Sequence, residues 1–162
     1  MELSRLRELI TYEPQTGILR NAKSQRQLTP DEYGAVVVYD NITKKRHKMR
    51  AAKIAYELGN NKRLADSQRI LHRNLNETDN RLQNLLAVTR TVFLQLQEAI
   101  RNLDHQLRMI PHPEDQYSYI ITYRDKGVEK NEVKHDIIAA KQRLLRLQLK
   151  YAKLLNKYCI FD

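Results

Sequence analysis

The sequence is poor in the residues that build covalent and cofactor sites. Cys159 is its only cysteine, which excludes an internal disulfide and a zinc cage built on thiolates. One thiol fits a reducing, cytoplasmic setting, and Cys159 reads as a small packing residue rather than a nucleophile. Four glycines in 162 residues leave no glycine-rich loop to cradle phosphates. Tryptophan is absent. No apolar run is long enough to span a bilayer and no secretory leader opens the chain, so no membrane partner is expected. The length suits one domain or two small ones and excludes an eight-unit strand–helix barrel.

Positive charge is what the chain has in excess. Lys and Arg number 29 against 19 Asp and Glu, a formal charge of +10. With 41% apolar residues the chain can still pack a core, which argues against wholesale disorder. A basic chain with no membrane segment points to a polyanionic partner. Two stretches contain no acid. Residues 44–53 carry Lys44, Lys45, Arg46, Lys48, Arg50 and Lys53, and residues 141–157 carry Lys141, Arg143, Arg146, Lys150, Lys153 and Lys157. Such runs often serve only as solvated faces. If they bind a polyanion, Lys44 through Lys53 of the first run are its contacts. On the last helix Arg143, Arg146, Lys150, Lys153 and Lys157 form a stripe suited to a phosphate backbone, or equally to an acidic protein.

Periodicity orders the chain. Leu3, Leu6, Leu9 and Ile10 predict a short helix. Pro14 and Gly17 bracket a turn into a strand, and Ala35-Val36-Val37-Val38-Tyr39 predicts a strand with a returning partner over 44–49. Ala51 to Leu58 reads as a helix ended by Gly59. Apolar spacing from Leu85 through Val88, Val92, Leu96 and Leu103 predicts a long helix over 84–108, broken at Pro111-His112-Pro113. Two strands follow, over 117–123 and 128–133, turned at Gly127. Tyr117, Tyr119 and Tyr123 fall on one strand face, for bases to stack on or, more commonly, to cover the last helix. Asp136 caps that helix, whose seam is Ile137, Ala140, Leu144, Leu147, Tyr151, Leu154 and Tyr158. His105, His112 and His135 have no metal-ligand spacing and take surface or capping roles by default.

Residues 71–93 carry the sharpest pattern. His72 precedes a polar loop, then come Asp79-Asn80-Arg81, Asn84-Leu85 and Val88-Thr89-Arg90. Upstream stand Tyr12-Glu13-Pro14-Gln15-Thr16-Gly17-Ile18-Leu19 and Ala52-Lys53-Ile54-Ala55-Tyr56-Glu57-Leu58-Gly59. This ordered set, covering residues 1 to about 95, resembles the HNH endonucleases, particularly the small phage and intron-encoded ones. The resemblance implies a ββα-metal finger. In it His72 is the general base that activates water against a DNA phosphodiester, and Asn84 braces the finger. It also implies one divalent cation such as Mg²⁺ on the scissile phosphate, held by the residue before the catalytic His and by one on the following helix.

This chain departs from the family at both ligand positions. They hold Leu71 and Phe93, which offer no donor to a hard cation. Ala52 stands where relatives usually carry His, and Leu75 where the loop usually has Gly. Asn74, Asn76, Glu77 and Asp79 are the remaining oxygen donors for a rearranged site. No metal ligand is therefore assigned, and no cofactor is expected unless the chain is active, when Mg²⁺ would be needed. The expected fold is α+β: an HNH-like ββα finger with a long helix in residues 1–110, joined to a β-hairpin–helix unit in 111–162. That unit loosely resembles the AP2 module. The expected function is a phage-type, HNH-derived DNA-binding protein with nuclease activity lost or reduced. Two alternatives stay open: an active nicking enzyme with a rearranged site, and a phage protein that binds a host or virion protein through the reused fold. The expected location is the infected host's cytoplasm, or the virion for a structural role.

Overall fold

The computed structural model describes residues 1–158 and 160, with His105 described in its backbone alone. The expectations for Cys159 and for the His105 side chain lie outside the described residues. The fold is mixed α and β, with small antiparallel sheets and a C-terminal helix. Its chain forms two compact units that divide between Arg90 and Thr91, ahead of the Pro111–Pro113 step.

The first unit opens with helix α1 (Leu3–Leu9), which buries Leu6 and runs directly into strand β1 (Ile10–Glu13). A turn at Pro14–Gly17 returns the chain as β2 (Ile18–Asn21), antiparallel to β1 with Glu13 opposite Ile18. Gly17 holds φ +77° there, a conformation that costs a side-chain-bearing residue about 1–2 kcal/mol. A second hairpin pairs β3 (Ala35–Asp40) with β4 (Lys45–Arg50). Period-two alternation buries Val36 and Val38 against Leu6, Ile10 and Ile54 and leaves Val37 and Tyr39 exposed.

Helix α2 (Ala51–Gly59) follows and buries Ala51, Ile54 and Ala55 at helical spacing. It includes Gly59 rather than stopping before it. A Cβ on Gly59 would lie 2.7 Å from Leu82 Cδ1 and 3.0 Å from Tyr12 Cε1, so any larger residue here would have to push the Leu82 side chain aside. The third hairpin pairs β5 (Gln68–His72) with β6 (Leu85–Thr89), with Leu71 opposite Leu86 and His72 opposite Leu85.

β6 corrects the long helix expected over 84–108. The apolar run Leu85-Leu86-Ala87-Val88 also suits a strand covered on both faces, with Leu85 and Val88 buried on opposite sides, and pairing with β5 satisfies the backbone groups of both segments. The helix proper is α3 (Arg90–Arg101), which buries Leu96 and Ala99 and passes into a π-helical turn over Asn102–Gln106.

The second unit is built on a three-stranded antiparallel sheet in the order β7-β8-β9: β7 (Arg108–Pro111), β8 (Tyr119–Asp125) and β9 (Val128–Lys134). β7 is an addition to the hairpin read from sequence. It is an edge strand of four residues ending in Pro111, where a missing N–H is tolerated. Buried Asn102 holds β8 by donating from Nδ2 to the Arg124 carbonyl and accepting from the Arg124 N–H, each at 2.8 Å. Lys126 and Gly127 both take positive φ in the β8–β9 turn, as a two-residue hairpin loop requires. Glu98 accepts from both of their N–H groups.

Helix α4 (Ile137–Lys157) closes the unit. As expected, Asp136 caps it by accepting from the Ala139 N–H at 2.8 Å. Ala140, Leu147, Tyr151 and Leu155 are its buried face, whereas Ile137, assigned to the seam from sequence, is exposed. Among the described residues no helix is long and apolar enough to cross a membrane.

Candidate functional site

His72 ends β5 and is 8% exposed. Its Nε2 lies 3.2 Å from Asn80 Oδ1. With that oxygen as acceptor, Nε2 carries the proton of the neutral ring and Nδ1 is the basic nitrogen.

The loop after His72 is held by side chains that imitate backbone. Asn84 Oδ1 accepts from the Asn74 N–H at 2.9 Å, and Asn84 Nδ2 donates to the Asp79 carbonyl at 2.7 Å. The Arg73 N–H donates to the Asn84 carbonyl at 2.9 Å, continuing the β5–β6 ladder. Asn84 is buried, and these bonds give both its side-chain oxygen and its side-chain nitrogen a partner. The Asn84 side chain thus spans both ends of the loop, which closes at its neck.

Three of the four oxygen donors expected for a rearranged site, Asn74, Asn76 and Asp79, serve the loop itself, and the fourth, Glu77, is exposed. Asn74 Oδ1 accepts from the Asn76 N–H, and Asn76 Oδ1 accepts from the N–H and hydroxyl of Thr78. Asp79 takes both Nε and Nη2 of Arg81, at 2.8 and 2.6 Å, and also accepts from Asn74 Nδ2. The Arg81 guanidinium, more than any other cause, draws the Asp79 carboxyl down to about 2. Leu75 holds φ +60° in this loop.

The donor set does not fit a divalent cation. Leu71 is a buried apolar side chain paired across to Leu86, and Phe93 is a half-buried residue of α3. Asp79 already carries an arginine, and a cation would have to displace it. Among the described residues no group of three His, Cys, Asp or Glu side chains converges.

The loop rests on the turn between β1 and β2. The Tyr12 hydroxyl donates to the Asn80 carbonyl at 2.8 Å, and the Leu82 N–H donates to the Pro14 carbonyl at 3.0 Å. A Cβ on Gly17 would stand 2.6 Å from the Asn80 carbonyl carbon. Burial, with the nearby Asp79 charge, pushes the Tyr12 phenol up to about 12. Two motifs quoted separately from the sequence are thus parts of one assembly. The roles of Asn80 and Tyr12 were not assigned from sequence. Their only signal was membership of the Asp-Asn-Arg step and of the Tyr-Glu-Pro opening.

The expected nucleic-acid contacts are distributed unevenly. Cross-strand pairs place Val37 beside Lys48, Tyr39 beside Arg46 and Ala35 beside Arg50 on the outward face of the β3–β4 hairpin. Lys45 pairs with Asp40 on the opposite face, and Lys44 lies in the turn with φ +57°. Lys48 is bridged to Asp31 at 2.8 Å and lies over the Tyr33 ring, and Arg50 donates to the Tyr33 carbonyl. Lys53 lies on α2, 3.9 Å from the fully buried Glu57.

On α4, Arg143 turns to the sheet, where Nε and Nη2 bind Glu132 at 2.9 and 2.6 Å. Lys150 is 3.7 Å from Asp125, and Lys157 lies over the Tyr158 ring. Arg146 and Lys153 are exposed, and among the described residues neither has an acidic partner. Tyr123 bonds Glu132 at 2.7 Å, which puts it on the α4 side of the sheet rather than on a nucleic-acid face.

No family model matches the chain, and no curated protein or solved structure is significantly similar to it.

Proposed function

We propose that the chain is a DNA-binding protein of HNH-endonuclease descent whose nuclease activity is lost or much reduced. The observation that carries this reading is the loop between β5 and β6. A histidine at the end of β5 and a buried bracing asparagine are both kept, while the position before the histidine is a core leucine. The histidine retains the chemistry of a proton acceptor, but its ring is largely shielded and bonded to Asn80. The positions that would hold a divalent cation beside it carry Leu71 and Phe93, which offer no donor, and such a cation would supply most of the charge stabilisation on a phosphate.

Binding to DNA is supported by the outward face of the β3–β4 hairpin. Arg46, Lys48 and Arg50 alternate with Tyr39 and Val37 there. A two-stranded ribbon of this width fits a major groove, with cations for phosphates and aromatic edges for bases. The reading places the protein in an infected cell's cytoplasm.

Two assays on the intact protein test it. A gel shift on duplex DNA is expected to show binding that weakens steeply with salt. Supercoiled plasmid incubated with Mg²⁺, Mn²⁺ or Zn²⁺ is expected to stay uncut. Metal-dependent nicking that His72→Ala abolishes would overturn the inactivity, and no binding at low salt would overturn the DNA partner.

A further inference from the structure

Helix α4 is apolar on two faces, and its sheet accounts for only one of them. Ala140, Leu147, Tyr151 and Leu155 are buried. On the far side Ile138, Leu145 and Leu149 are 66%, 55% and 49% exposed. With Gln142, Ala152 and Asn156 they follow spacings of four, three, four, three and four from 138 to 156. That is the two-in-seven spacing of a coiled-coil seam. Single exposed leucines are ordinary on a surface. Three large aliphatic side chains in seam register, each with about half or more of its surface open to solvent, mark a contact surface.

We propose that this face of α4 docks an acidic amphipathic helix of another protein. Charge selects that occupant. Residues 137–157 contain six cations and no acid, and Arg146 and Lys153 flank the stripe. A second copy of α4 laid antiparallel would set like charges together, and one laid parallel would bring no acid to either flank. A helix with glutamates beside its own apolar seam satisfies both the stripe and the flank. A membrane surface fits less well. The stripe is narrow, Gln142 and Asn156 interrupt it, and α4 has neither the wide apolar face nor the Trp or Phe of an interfacial helix. Duplex DNA needs the cations but not the aliphatic row. The proposal shares no residue with the β3–β4 ribbon, so it stands or falls apart from the DNA reading.

The probe is a labelled synthetic helix matched in length to α4, with leucine along its seam and glutamate on its flanks. Fluorescence anisotropy at physiological ionic strength is expected to show saturable binding to the intact protein. Leu145→Ser with Leu149→Ser should weaken it at least about tenfold, as loss of central apolar anchors does. Both positions are exposed, so the thermal unfolding midpoint should hold. Arg146→Glu with Lys153→Glu should weaken it too, and a probe carrying lysine in place of glutamate should restore binding to that variant. Three results would overturn the proposal: no binding of the acidic probe, self-association abolished by the serine pair, or serine-sensitive co-sedimentation with phosphatidylglycerol vesicles.

Discussion

Asn84 shows how one side chain can set a whole loop. From a buried position it bonds the Asn74 N–H at one end and the Asp79 carbonyl at the other. Asn84→Ala removes both bonds from these part-buried groups and is expected to cost about 1–2 kcal/mol. Chemical denaturation would measure that cost, and faster amide exchange confined to residues 74–80 would locate it. Leu75 lies inside the same loop with a left-handed backbone, where L-residues are disfavoured by about 1–2 kcal/mol and glycine is not. Leu75→Gly is therefore expected to raise the unfolding midpoint, against the usual direction of a substitution to glycine. A fall in the midpoint would mean that the half-buried leucine packs for more than its backbone strain costs.

At the scale of elements, strands and capped helices were the legible part. The alternation of Val36, Val37 and Val38 revealed β3, and Asp136 marked the start of α4. The segment 85–89 was not legible. A row of leucines and valines satisfies both periods until its partner strand is known, and that partner lies across a twelve-residue loop, 73–84. β7 was hidden because four residues ending in proline resemble the tail of a helix. The His72 motif was visible, but its support from Tyr12 was not, since pattern within a segment carries no information about contacts between distant segments. The second aliphatic row of α4 was obscured by the first, which already explained an amphipathic helix.

The Glu132 pair tests how far α4 depends on one ion pair. Arg143, followed in effect by opposing burial, sets this carboxyl, which falls from 4.5 to about 2. A carboxyl lowered by folding contributes stability that is complete above about pH 4.5 and disappears as pH falls through about 2. Glu132→Gln should lower stability at neutral pH and flatten its decline between those values. Thermal unfolding followed from pH 7 to 2 would show whether the two curves converge in acid.

For the whole molecule, net charge and usable charge differ. Of the eleven cations expected on nucleic acid, Lys48, Arg143 and Lys150 have acidic partners within reach, and Lys53 stands beside Glu57. On the outward ribbon Arg46 and Arg50 keep no acidic partner among the described residues and stand on either side of the Asp31-paired Lys48. Replacing Arg46, Lys48 and Arg50 together with Gln should flatten the dependence of log affinity on log salt by roughly 0.9 per lost phosphate contact. Replacing Arg143 should leave that slope unchanged. Equal slopes for both variants would place the DNA elsewhere on the protein.

The seat that Tyr12 and Gly17 provide for the loop also bears on synthesis. The Tyr12 hydroxyl reaches a carbonyl 68 residues further along the chain. At ordinary translation speeds the first hairpin leaves the ribosome roughly 3–12 s before Asn80 does. The loop thus emerges onto a support that already exists and can set as soon as Asn84 follows. A circular permutant that moved residues 1–21 to the far end of the chain would reverse that order, leaving the His72 loop without its seat for the rest of translation.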